Sequence, residues 1–206
     1  MKSNGVEGTL IERDSAVHFA TTNKHKFKEA SSIVARYGIR LKRLDLEKHE
    51  IQANSLTTIV TTAASEFIKN GVARAVLADD SGFFIDSLKG FPGPYSSFVF
   101  ERIGSRGILK LLENTTNRNA SFQAAVAYCD VRHTPISFTG AVKGIIAQES
   151  KGNSGFGYDP IFIPKFGDGQ TFGEMSMDQK NRFSHRAKAF THFCKWYTTR
   201  KFSRLR

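Results

Sequence analysis

The chain has little of several things that would fix its class at once. It carries two cysteines, Cys129 and Cys194, far apart and with no CxxC pair. Both fall in apolar patterns, which reads as two buried free thiols and removes a disulfide framework or a cysteine-built zinc site. No run approaches the ~20 apolar residues of a membrane-spanning helix. Residues 1–15 are polar and aperiodic, without the apolar core of a secretory signal, and read as a flexible leader. A cytoplasmic protein with no membrane attachment is the expectation. Internal repeats, low-complexity tracts and linkers are absent. Acid is short as well: 19 Asp and Glu stand against 30 Lys and Arg, a formal net charge of +11. That surplus suits an anionic partner, whether nucleotide, nucleic acid or membrane surface.

What remains is an ordinary globular composition over 206 residues, enough for one domain with a real core. A single domain of two lobes is expected over residues 16–197, with a basic, solvated tail over 198–206. Ala16 to Ala20 reads as a buried strand. Phe27, Ala30, Ile33 and Val34 keep helical spacing from Lys24 to Arg36, with Gly38 as C-cap. Ile39 to Leu46 reads as the next strand, followed by a polar loop carrying Glu50. A second helix runs from Leu56 to Ile68, capped by Ser55 and ended by Gly71. This alternation predicts an α/β fold with several parallel strands. Phe122 to Cys129 and Ile136 to Thr139, joined at His133-Thr134-Pro135, predict a hairpin and hence a mixed sheet. Ser96 to Arg102 and Ser105 to Glu113 read as two helices broken near Gly104, Pro160 to Pro164 as a short strand, and Ser176 and Ser184 as caps of the last two helices. The expected architecture is α/β, an elongated mixed β-sheet flanked by helices, with two lobes and a central cleft.

The chemistry centres on Ala78-Asp79-Asp80-Ser81-Gly82, between Arg74 to Ala78, small and apolar apart from Arg74, and Phe83 to Ile85. Two readings stand. Asp-Asp-Ser-Gly is ordinary turn chemistry, with Gly82 allowing a sharp reversal. Equally, adjacent carboxylates at a strand end need a cation or a proton to hold them, and with Glu50 they form an oxygen donor set suited to Mg²⁺. Thr21 to Lys26 sits between a strand and a helix, where free N–H groups, the helix dipole and Lys24, Lys26 and Lys28 favour phosphate. The glycine framework of a Walker loop is absent. Gly155-Phe156-Gly157-Tyr158-Asp159-Pro160 frees a backbone on which Phe156 can stack against a nucleobase, or simply fill a core. Lys180, His185 and Arg186 add hydrogen-bond donors suited to a purine keto oxygen.

In order and spacing, these motifs resemble those of the inosine triphosphate pyrophosphatase family, which acts on non-standard purine nucleoside triphosphates. The resemblance runs from about Val17 to Trp196. It rests on Ala20 to Lys26, Ala78 to Gly82, Gly93-Pro94-Tyr95-Ser96, Gly155 to Phe162, Thr171 to Met175, Lys180, and Ser184-His185-Arg186. It implies Mg²⁺-dependent hydrolysis of ITP, dITP or XTP to the monophosphate and pyrophosphate by a homodimer. It further implies that Thr21, Thr22, Asn23, Lys24, His25 and Lys26 hold the triphosphate, and that Glu50 and Asp80 bind metal, with Asp80 also the proton acceptor. Ser81 touches substrate, and Phe156, Gly157, Tyr158, Asp159, Lys180, His185 and Arg186 form the base pocket. Thr22 stands where many members have glycine. The alternatives are a pyrophosphatase of other modified nucleotides and a basic nucleic-acid-binding module. No RRM, KH or zinc-finger signature supports the latter.

Overall fold

The computed structural model describes residues 16–48 and 51–203. Glu50, the leader 1–15 and residues 204–206 lie outside the described residues. Among those described, no helix is long and apolar enough to cross a membrane.

The first half follows the expected alternation of strand and helix, with β2 shorter than the expected Ile39 to Leu46. Strand β1 (Val17–Ala20) feeds α1 (Lys24–Ala35), β2 (Leu41–Leu44), α2 (Leu56–Lys69) and β3 (Ala75–Ile85). Ser55 caps α2 by accepting from the Thr58 amide, and Gly38 and Gly71 both take the positive φ that helix exits favour. After β3, a two-residue strand β4 (Pro92–Gly93) leads into α3 (Ser96–Leu111), β5 (Asn119–Asp130), β6 (His133–Ile146), β7 (Phe162–Pro164), α4 (Met177–Lys180) and α5 (His185–Ser203). The hairpin exists, but β6 already begins at His133, so the turn is Val131-Arg132 and Pro135 lies within the strand. Gly104 breaks α3 with φ 59° and ψ −169°. Asp159–Ile161 forms a short 3-10 turn ahead of β7, where a strand was expected from Pro160. The helix α5 continues past residue 197, taking up residues 198–203 of the expected tail.

The sheet is mixed and runs β2-β1-β3-β5-β6-β7, with β4 on β3. Its first two pairings, β1 with β2 and β1 with β3, are parallel, and the rest are antiparallel. Apolar side chains gather in three clusters. One lies between the sheet and α1 and α5, around Phe19, Val34, Leu77, Phe190 and Phe193. Another lies beneath α2, around Val60, Ala64, Val76 and Ala78. The third is aromatic, built on Phe83, Phe122, Tyr158, Phe162 and Phe172 with α3. Both Cys129 and Cys194 are buried free thiols.

One strand expectation fails in a way that makes the site. Asp79 to Gly82 is not a turn: β3 runs unbroken for 11 residues, paired with β5 from Ala75–Asp130 to Ile85–Ala120. Long cross-strand pairing overrides the local turn signal. Gly82 serves close approach instead, because a Cβ there would sit 2.6 Å from the Gly93 carbonyl oxygen of β4. The other edge of β3 pairs with β1 only through Ala78, and with β4 only from Phe83. Asp79 to Gly82 therefore line a gap between two strand partners, just beyond the carboxyl end of β1, where open α/β sheets bind ligands.

Candidate active site

This gap opens into a groove of about 650 Å³. Two sets of side chains share it. One comprises Thr21, Thr22, Asn23, Lys26, Lys48, Asp79, Asp80 and Ser81; the other Phe156, Gly157, Tyr158, Asp159, Lys180 and His185. Lys24, His25 and Arg186 do not line it. Ser96 fixes the mouth: its hydroxyl accepts from the Phe83 amide at 2.7 Å and donates to the Gly93 carbonyl at 2.6 Å, tying the Gly93-Pro94-Tyr95-Ser96 loop to β3.

At the start of α1, Asn23 is the cap. Its Oδ1 accepts from the amides of His25 at 2.9 Å and Lys26 at 3.0 Å, while Thr21 Oγ1 accepts from the Asn23 amide at 3.2 Å. Asn23 thus takes two amides that an uncapped helix would offer to phosphate. The positive group that α1 turns into the groove is the Lys26 ammonium, 3.4 Å from Asp79 Oδ1 and 3.7 Å from Asp80 Oδ1.

Pleating puts Asp79 and Asp80 on opposite faces of β3. Asp79 is buried, and Arg186 Nε donates to its Oδ2 at 3.1 Å. Burial alone would raise its pKa, but Lys26, Arg186 and Lys48 together hold the carboxyl below the usual range. Asp80 keeps more access, and Lys48 Nζ approaches its Oδ1 at 2.9 Å while also donating to the Asp79 carbonyl at 3.2 Å. Among the described residues, no group of three or more His, Cys, Asp or Glu is placed to hold a metal ion. The donor chemistry nonetheless suits a hard cation. Asp79 is engaged by cations on both oxygens, Asp80 presents carboxylate oxygen to the groove, and both thiols are sequestered in the core.

Behind the groove runs a buried charge chain. Lys180 Nζ donates to Asp159 Oδ2 at 2.6 Å and Glu29 Oε1 at 2.7 Å. Arg186 Nη1 donates to Glu29 Oε2 at 2.6 Å, and its Nη2 to Ser81 Oγ at 3.1 Å. Arg186 lies fully buried beneath the groove, its guanidinium 5.6 Å from the Phe156 ring centroid, and spends its donors on Glu29, Asp79 and Ser81. Burial works against the Glu29 carboxylate, yet Arg186 and Lys180 outweigh it and hold its pKa low. For Asp159 burial prevails over Lys180, and its pKa is raised. Sequence reasoning missed Glu29 and Lys48. A signal for Glu29 existed: it shares the buried face of α1 with Ala30, Ile33 and Val34, where an acid needs a partner. Lys48, in a polar loop, offered none.

The aromatic set is positioned by Asp159. Its Oδ2 accepts the Phe156 amide at 2.8 Å, and Gly155 leaves room for that carboxylate, which a Cβ would meet at 2.0 Å. The Phe156 ring stacks on His25 at 5.4 Å and has Lys180 Nζ 5.0 Å from its centroid. His25 therefore packs against Phe156 without lining the groove. His185 stacks on Phe122 at 4.8 Å and 12°, and its Nδ1 is buried without a hydrogen-bond partner, as is the Tyr158 hydroxyl. Two orphaned polar atoms in residues lining one groove are what a polar ligand would satisfy.

His185 also sets an expectation for acid stability. Burial, then the cations Arg186, Lys180, Lys26 and Lys188, push its pKa well below the usual histidine range, so the folded ring is neutral. The unfolded chain binds that proton near pH ~6.5. Stability from this group is present above that value and lost as pH falls below it. Glu29 and Asp79 add a second loss below about pH 4, because their folded pKa values are depressed. Thermal midpoints measured between pH 8 and 5 should fall with acidity in the parent and fall less steeply in His185→Gln. Equal slopes would mean that His185 is protonated in the fold.

Comparison with known proteins gives the chain its family. The chain matches the Ham1 family over residues 17–196. The dITP/XTP pyrophosphatase of Methanopyrus kandleri is 48% identical over 181 residues, covering 88% of this chain and 95% of the relative. That of Pyrobaculum aerophilum is 45% identical over 184 residues, covering 89% and 97%. Among solved structures, the Staphylococcus aureus Ham1 protein superposes with a TM-score of 0.76 at 25% identity, covering 89% of this chain and 99% of its own. A nucleoside-triphosphatase / dITP/XTP pyrophosphatase from Mycobacterium abscessus gives 0.67 at 31% identity, covering 86% and 98%. Matched from its first buried strand to Trp196, the chain belongs to the Ham1 family.

Proposed function

We propose that the protein hydrolyses non-standard purine nucleoside triphosphates, namely ITP, dITP and XTP, to the nucleoside monophosphate and pyrophosphate. The observation that carries this reading is one groove lined both by Lys26, Asp79 and Asp80 and by Phe156, Lys180 and His185. The names of the Methanopyrus and Pyrobaculum relatives point the same way. Mg²⁺ dependence, a homodimer and a cytoplasmic location complete the reading on the strength of the family resemblance.

In this reading the triphosphate lies along Lys26, and Asp80, with Glu50, holds the cation. Mg²⁺ bound there supplies charge neutralisation at the phosphates and makes water a better nucleophile. Asp80 takes the proton from the attacking water. The purine stacks on Phe156. Lys180 has three N–H donors and spends two on Glu29 and Asp159, which leaves one for a keto oxygen at C6. Adenine presents an amino group there, so donor would face donor, and a buried donor left unpaired discriminates by ~10⁴-fold or more.

Pyrophosphate release measured with Mg²⁺ across ITP, XTP, dITP, GTP and ATP tests the reading. ITP and XTP should turn over far faster than ATP. Release of orthophosphate alone, or equal rates on ITP and ATP, would contradict it.

A further inference from the structure

Two ammonium groups converge on Asp80, and they are not equivalent. Lys26 sits 3.7 Å from Asp80 Oδ1 and is shared with Asp79 at 3.4 Å, both longer than a close charge-assisted hydrogen bond. Lys48 makes the close contact, at 2.9 Å, and reaches the Asp79 carbonyl as well. Its side chain is only 13% exposed, low for a lysine, and it lines the groove. Asp79 has an independent buried counter-ion in Arg186, so Asp80 is the acid whose cation can be exchanged.

We propose that Lys48 is a second phosphate-binding cation, resting on Asp80 before substrate binds and passing to the substrate's phosphates when they arrive. The inference rests on the triphosphate reading above. Lys26 and Lys48 both rest on Asp79 or Asp80, so an incoming triphosphate meets ammonium groups already paired with carboxylate and gains the full charge of one only if it is released. A divalent cation arriving at Asp80 repels an ammonium on the same oxygen, and the phosphates beside it attract that ammonium. Lysine suits the exchange: it is a compact charge on a flexible four-carbon stem with rotatable donors. Lys48 thus shields Asp80 between turnovers, and its departure frees the carboxylate for cation and proton.

The exchange predicts opposite signs for two affinities, which a purely structural role does not. Lys48→Met should raise KM for ITP and the inhibition constant of pyrophosphate by about tenfold. The same variant, free of nucleotide, should bind Mn²⁺ alone several-fold more tightly than the parent. Lys48→Arg keeps the charge and should restore both toward the parent. Lys42→Met, which removes an exposed charge on β2, gives the size of the general electrostatic effect on Mn²⁺. The proposal is overturned if KM and pyrophosphate inhibition in Lys48→Met stay within twofold of the parent. It is overturned equally if the gain in Mn²⁺ affinity is no larger than in Lys42→Met. Should Lys48→Met not fold, Lys48→Gln removes the same charge and is read against the same two limits. A parent that releases no pyrophosphate from ITP defeats the functional reading itself, whereas an active parent with an unaffected Lys48→Met defeats Lys48 alone.

Discussion

Replacing Asp80 with asparagine is expected to lower pyrophosphate release from ITP by about a thousandfold or more while leaving the fold intact. The substitution keeps shape and removes charge. It eliminates a proton acceptor, a role worth roughly 10²–10⁴ in rate, and weakens the hold on a cation that activates water and neutralises phosphate. The structural cost is small. Asp80 is largely buried, but it lies on the groove wall and asparagine keeps its shape and polarity, while the long Lys26 and Lys48 side chains left behind can turn their ammonium groups to water, so the cost is about 1–2 kcal/mol. Rate and thermal midpoint measured on the same preparation separate the two effects. Turnover within a few-fold of the parent would remove Asp80 from the reaction.

Arg186→Met should do the reverse: a large loss of stability. Arg186 is fully buried, bonded to Glu29 and Asp79, and those acids hold its own pKa above the ordinary arginine value against the pull of burial. Methionine fills part of the volume but leaves Glu29 to Lys180 and Asp79 to Lys26, each buried carboxylate having lost one of its cations. Breaking a buried pair from one side costs about 3–5 kcal/mol. For a chain of this size that lowers the melting midpoint by roughly 6–20 °C. Glu29→Gln should also destabilise, because Lys180 and Arg186 both lean on Glu29. The double variant should cost less than the sum of the singles, since each removes the same interaction. A loss below about 1 kcal/mol in Arg186→Met would mean that the charge chain is not held as tightly as its distances imply.

The architecture was largely legible in the sequence because its first half is built from strong local periodicity. Phe27, Ala30, Ile33 and Val34 in α1, and Leu56, Ile59, Val60 and Ala63 in α2, mark one face of each helix, and Ser55 marks a start. The middle of β3 was not legible. Asp-Asp-Ser-Gly carries turn chemistry, and only pairing to β5, some 45 residues onward, keeps it straight. The reason for Gly82 is equally non-local, since the group it avoids belongs to β4. At the site, the motif residues converge: Asp80, Phe156, Lys180 and His185 meet on one groove. Arg186 shows the limit. Its place in the first turn of α5 suggested a group facing ligand, but its orientation is set by Glu29 on another helix, an acid no motif had marked. Lys48 was hidden for the same reason, since its meaning comes from proximity to Asp80 and not from neighbours in sequence.

The most direct test concerns where a nucleotide lies. A crystal structure of Asp80→Asn with ITP and Mg²⁺ should place the hypoxanthine ring on Phe156 with its keto oxygen at Lys180, and the phosphates beside Lys26, continuous through one groove. Nucleotide bound elsewhere, or phosphates at Phe156 with the base at Lys26, would contradict the account.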